Sequence, residues 1–239
     1  MKALPKLAHR VAAVGATATL IFGLAACGGS SDDDAKTDKD KKSEATEPAE
    51  EEEGDDAKAD GPGSSPDWAT PVTEPGEKLV TVKAGDVTVD VYQVDVVESP
   101  KESSAVDKET KDPIIAEGDD IVFVNFVITN TGDPIDLGPT QVAVEGKYVD
   151  WKYLGGMPSI TDSALFEKMD VNDRALESGK NTDPPIYTFG TNETFSYGTN
   201  FLYQKGSPIT FKVEFTPVDD QGERIKDEKH EAEEKAKIK

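Results

Sequence analysis

The chain has 239 residues, with 26 Lys and Arg against 48 Asp and Glu, a formal net charge of −22. Every stretch after residue 27 is acidic, and no basic patch is visible to displace counterions from phosphates, which argues against nucleic acid as a partner. The single cysteine, Cys27, rules out an internal disulfide, and the two histidines, His9 and His230, lie outside residues 77–218, which removes Ser-His-Asp, Cys-His and His/Cys zinc chemistry from that stretch.

Residues 1–10 carry Lys2, Lys6 and Arg10, and the apolar run "VAAVGATATLIFGL" follows at 11–24. A positive start, a short apolar centre and small residues at its end form the layout of a secretory signal. This run of 14 residues falls short of the roughly 20 that span hydrocarbon. Leu24, Ala25, Ala26 and Cys27 then resemble a bacterial lipobox, L-[AS]-[AG]-C, at all four positions. The resemblance implies that the Cys27 thiol is alkylated by a diacylglyceryl group. It also implies cleavage of residues 1–26 as a signal peptide and acylation of the new amino group, as by palmitate. A thiolate is the nucleophile such a transfer needs, and two or more acyl chains give stable anchoring. The expected place is the outer face of the cytoplasmic membrane, with the membrane itself as the first partner.

Residues 27–76 read as the lipidated cysteine and an acidic linker. Gly, Ser, Pro, Asp, Glu and Lys dominate from 28 to 76, with 5 basic and 16 acidic residues and few large apolar ones. Such a segment buries too little apolar surface to offset its ordering entropy, which predicts disorder. Its expected reach is roughly 35–40 Å. Trp68 stands apart as a candidate first contact with the domain.

Residues 77–218 read as a β domain. "KLVTVK" (78–83) alternates apolar and polar residues. "DVTVDVYQVDVV" (86–97) sets Val87, Val89 and Val91 on one face, then changes parity at Val94 and Val96, which predicts a bulge near Tyr92 and Gln93. Residues 101–113 read as a long polar loop. "DDIVFVNFVITNTGDP" (119–134) is apolar on both faces, as in a covered central strand. "TQVAVEGKYVDWKYL" (140–154) predicts a hairpin turning at Glu145 and Gly146, with Val149, Trp151 and Tyr153 on one face. A short helix capped by Thr161 or Asp162 is expected within 159–176. Strands are expected within 193–206 and 207–218. Seven strands in about 140 residues predict an all-β, immunoglobulin-like antiparallel sandwich with a short helical crossing loop. Residues 219–239, densely charged, read as a disordered tail or frayed helix.

The leader with its lipobox, the Gly/Ser/Asp-rich spacer and the run "FVNFVITNTGDPIDLG" (123–138) together resemble actinobacterial lipoproteins with small immunoglobulin-like domains, many without an assigned function. The resemblance implies a fold and a place, and no chemistry. No catalytic, cofactor-binding or metal site is expected beyond the lipid on Cys27. The expected role is a binding or structural module at the cell surface, facing another surface protein or a wall component. The alternatives are a calcium-dependent or carboxylate-based enzyme acting on wall polymers, or an accessory subunit of a membrane complex. For calcium the candidate loop is 170–183, with Asp170, Asn172, Asp173, Glu177 and Asp183; it lacks the EF-hand register. No Asp or Glu is expected to sit amid the aromatics of a sugar subsite.

Overall fold

The computed structural model describes residues 63–239. Its strands are β1 (Glu77–Ala84), β2 (Val87–Glu98), β3 (Asp120–Asn130), β4 (Ile135–Leu137), β5 (Ala143–Tyr148), β6 (Tyr187–Phe189), β7 (Thr194–Leu202), β8 (Pro208–Phe215) and β9 (His230–Lys237). One helix, α1 (Ser163–Lys168), lies between β5 and β6. The main sheets are β1-β2-β3-β7 and β5-β8-β9, all antiparallel, and β4 and β6 form a short ribbon. The fold is the expected all-β sandwich.

Alternation decides which residues the two sheets share. Val122, Val124, Phe126 and Ile128 of β3 point inward, as do Val89 and Val91 of β2 and Ile209, Phe211 and Val213 of β8. All of these side chains are fully buried. The Phe126 and Phe211 rings meet edge-on across the sheets, their centroids 6.2 Å apart. Two tyrosines then tie the layers through polar groups. Tyr197 of β7 donates to the Val142 carbonyl and accepts from the Val144 N–H of β5, both at 2.9 Å. Tyr148 of β5 donates to the Leu202 carbonyl at 3.0 Å and accepts from the Gln204 N–H.

The outer face of β3 is also covered, which is why its sequence is apolar on both sides. Ile121 and Phe123 pack with Ile115, Ile160, Phe166, Met169 and Val171 in a second cluster. Phe166 belongs to α1 and meets Phe123 edge-on at 5.1 Å. Asp162 caps α1, its carboxylate accepting from the Leu165 N–H at 3.0 Å. The register of β2 against β3 shifts between Gln93 and Val96, at the expected bulge.

Three boundaries differ from the sequence reading. Residues 219–239 are not a disordered tail or frayed helix: β9 pairs with the whole length of β8, and Ile238 is fully buried. Its inward positions include Ala232 and Ala236, too small to signal a buried face amid so much charge. The turn at Glu145 and Gly146 is absent, and β5 runs straight through both. Glycine is needed there because a Cβ would come within 2.9 Å of the Phe211 ring. Finally, order begins before residue 77. Trp68 is buried against Tyr187, Phe189 and Phe195, and its indole N–H donates to the Thr188 carbonyl at 2.7 Å. Residues 64–73 pass along the free edge of β7, where Ser64 accepts from the Thr194 N–H and Thr70 donates to the Ser196 carbonyl. That strap covers an edge otherwise open to pairing.

Candidate functional site

Leu24, Ala25, Ala26 and Cys27, expected as a lipobox, and most of the expected acidic linker lie outside the described residues. The acids of loop 170–183 do not converge. Asp173 is held by Arg174 through two hydrogen bonds of 2.9 and 3.1 Å. The amide of Asn172 donates to the Pro71 and Ser196 carbonyls, fastening the strap. Among the described residues no group of three or more His, Cys, Asp or Glu side chains is placed to hold a metal ion. His230 stacks on Phe215 at 4.8 Å and closes the sandwich beside Gly85.

Strand register gives the sandwich two distinct ends. At one end Asn130 of β3 pairs with Val87, its N–H reaches the Glu193 carbonyl, and the strap arrives at Ser64. At the other end Ile121 pairs with Leu202, Tyr148 reaches Leu202, and the Val149 N–H donates to Pro208. Loops 99–119 and 149–162 gather there. An 11-residue strand separates the two ends by roughly 35 Å. The described chain therefore enters at one end, and loops 99–119 and 149–162 meet at the other.

Those loops carry the most unusual surface of the protein. Val106, Val149 and Leu154 are the large apolar residues exposed among the described ones, and Leu154 is 97% exposed. All three border the segment 149–156, which also holds Trp151 and Tyr153. The two rings meet at 5.0 Å with an interplanar angle of 66°. Asp107, from the polar loop, locks this segment. Its Oδ2 accepts from the Tyr153 hydroxyl at 2.8 Å and from Lys152 Nζ at 3.0 Å, and its Oδ1 accepts from the Glu109 N–H at 2.8 Å. The Lys152 ammonium also lies over the Tyr153 ring, 4.8 Å from its centre. The backbone N–H of Glu109, then Lys152 and Tyr153, hold the Asp107 carboxyl far below the usual carboxylate range. Between the loops lies a cleft of about 480 Å³.

Trp151 also walls a second depression, a trough of about 470 Å³ over the outer face of the β5-β8-β9 sheet. Cross-strand register sets its floor. One row places Lys147 beside Thr210 and Lys235, and the next places Glu145 beside Lys212 and Glu233. Gly156 lets the 151–156 segment fold close to this floor. Gly155 accepts from the Trp151 indole N–H at 3.2 Å, and a Cβ on Gly156 would come within 3.3 Å of the Glu145 carboxylate.

The sequence kept these groups apart. Asp107 stands 46 residues from Tyr153, and the Lys235 and Glu233 positions fell in the supposed tail. The expectation that no acid sits amid the aromatics is therefore overturned by the fold. The only local signal was the run Val149, Trp151, Tyr153, read as one face of a strand; the segment is in fact irregular.

No family model matches the chain, and no curated protein matches it significantly. Among solved structures it is similar to the yjhA protein from Bacillus subtilis, with 15% identity and a TM-score of 0.37, over 70% of this chain and 100% of that one. It is also similar to a Bacillus subtilis protein named as a "putative lipoprotein", ycdA, with 17% identity and a TM-score of 0.30, over 68% of this chain and 39% of that one. Likenesses this distant assign no activity and no ligand.

Proposed function

We propose that the protein is an exported lipoprotein, anchored through Cys27 at the outer face of the cytoplasmic membrane, whose β-sandwich serves as a binding module at the cell surface. The observation that carries this reading is the placement of the one cysteine. It ends an apolar leader in the order Leu24, Ala25, Ala26, Cys27, directly before an acidic, Gly/Ser-rich stretch. The sandwich has no folding task for a thiol. In this reading the acyl chains on Cys27 supply the membrane attachment.

The two-ended sandwich supports the same reading. In this reading the linker joins the sandwich at the strap end, and the Trp151 and Asp107 loops lie at the opposite end. Binding surfaces commonly sit on loops held by a rigid scaffold, and this end has the loops, the exposed apolar groups and the aromatics. The partner is then another surface protein or a component of the wall.

Metabolic labelling with an alkyne fatty acid tests the anchor. Wild-type protein should take up label and the Cys27→Ala variant should not. Equal labelling of both, or labelling of neither, contradicts the reading.

A further inference from the structure

We infer that the trough walled by Trp151 is a binding site for a polysaccharide segment built of uncharged, hydroxyl- and amide-bearing pyranose units. The choice of a wall glycan as its source rests on the proposed export of the chain; the site itself does not.

The chemistry of the floor is what selects a sugar. Five of the six floor side chains are charged and one is a hydroxyl, arranged in two cross-strand rows: Lys147, Thr210, Lys235 and Glu145, Lys212, Glu233. Lys donates only, a carboxylate accepts only, and the Thr210 hydroxyl does both. Sugar hydroxyls, each of which donates and accepts at once, satisfy both kinds of group at short intervals. Lys212 is engaged by Glu214 and Glu231 at 3.2 and 3.3 Å. Among the described residues Lys147, Lys235, Glu145 and Glu233 form no ion pair with one another or with any other group, so their hydrogen-bonding capacity faces solvent. The floor carries three positive and two negative groups in a chain of net charge −22. This near-balance suits a neutral ligand and gives a polyanion or a polycation no matching field.

The wall supplies the other half of sugar recognition. Trp151 is half-buried and fixed by its N–H bond to Gly155 and by the Tyr153 ring. The negative face of an indole attracts the polarised C–H groups on the flat side of a pyranose. Asp107 positions this wall from behind through Tyr153 and Lys152. Preorganisation of this kind lowers the ordering cost of binding. An apolar peptide helix would need a continuous hydrophobic groove; the floor offers none.

The two tryptophans provide the readout. Trp68 is buried in the core and Trp151 stands in the trough, so a ligand in the trough moves the emission of one and leaves the other as a reporter of folding. The full chain carrying Cys27→Ala, purified in mild detergent to keep its apolar leader dispersed, is titrated with chitotetraose and cellotetraose, and with a Leu/Phe-rich amphipathic peptide. The expected result is a saturable change in emission with at least one tetrasaccharide and none with the peptide. Trp151→Ala should abolish the change and weaken calorimetric binding at least tenfold. The double change Glu233→Gln with Lys235→Ala, on exposed strand positions, should weaken binding about threefold to tenfold with Trp151 emission still responsive. Silence of both sugars up to 10-millimolar order concentrations, or saturation by the peptide alone, overturns the inference. So does tetrasaccharide binding that survives Trp151→Ala. Failure of fatty-acid labelling would remove the anchor and leave this result standing.

Discussion

The Tyr153 hydroxyl donates to the Asp107 carboxylate at 2.8 Å across 46 residues of sequence. With the Lys152 contact on the same carboxylate, this bond ties loop 99–119 to loop 149–162 at the end of the sandwich opposite the strap. Together with the Trp151 indole bond to Gly155, it holds the segment that carries Trp151.

Replacing Asp107 by Ala should therefore loosen segment 151–156 and leave the sandwich intact. The pair it forms with Lys152 is at the surface, where such pairs add little to global stability. Hydrogen exchange by mass spectrometry should show faster exchange in 151–156 than in wild type, with the melting temperature nearly unchanged. A melting temperature lowered by ten degrees or more would place Asp107 in the core energetics instead.

The pH response of the same group has a definite sign. The folded-state pKa of Asp107 is depressed below its ordinary value of 3.8. Its contribution is thus fully present above that unfolded value and is lost as pH falls below it. Exchange rates in segment 151–156, corrected for intrinsic chemistry, should be constant from pH 8 to about pH 5 and should rise relative to the core only below about pH 4.

Tyr197→Phe tests the tie between the sheets. Burial raises the Tyr197 pKa above the ordinary phenol range, and its hydroxyl serves both Val142 and Val144. Removing it leaves a carbonyl and an N–H without their partner, a cost of about 1–3 kcal/mol. The urea midpoint should fall accordingly with an unchanged slope.

Ile238→Ala tests the last strand. Ile238 is fully buried, although it stands one residue from the end of the chain described. Truncating it should cost about 2–5 kcal/mol by equilibrium denaturation. A change below about 0.5 kcal/mol would mean that β9 does not hold to the sandwich in solution.

The parts of the fold that were legible are those where alternation involved large side chains. β3 declared itself because Val122, Val124, Phe126 and Ile128 fill one face while Ile121 and Phe123 fill the other. β8 did so through Ile209, Phe211, Val213 and Phe215. β9 did not, because Ala232 and Ala236 bury little area and the outward Glu231, Glu233, Lys235 and Lys237 also fit a helical charge pattern. β4 and β6, three residues each, are too short for any period to show. The site was illegible for a different reason: its rows are set by register between β5, β8 and β9, a property of pairing and not of any one segment. The resemblance to a lipobox, in contrast, is wholly local and is carried by four letters and their flanks.

The most direct test of the central claim is the intact mass of the protein extracted from membranes of its own host. The account predicts a chain that begins at Cys27 and carries a diacylglyceryl group on its sulfur, with residues 1–26 gone. A mature chain that begins elsewhere, or one that retains Cys27 as a free thiol, would contradict it.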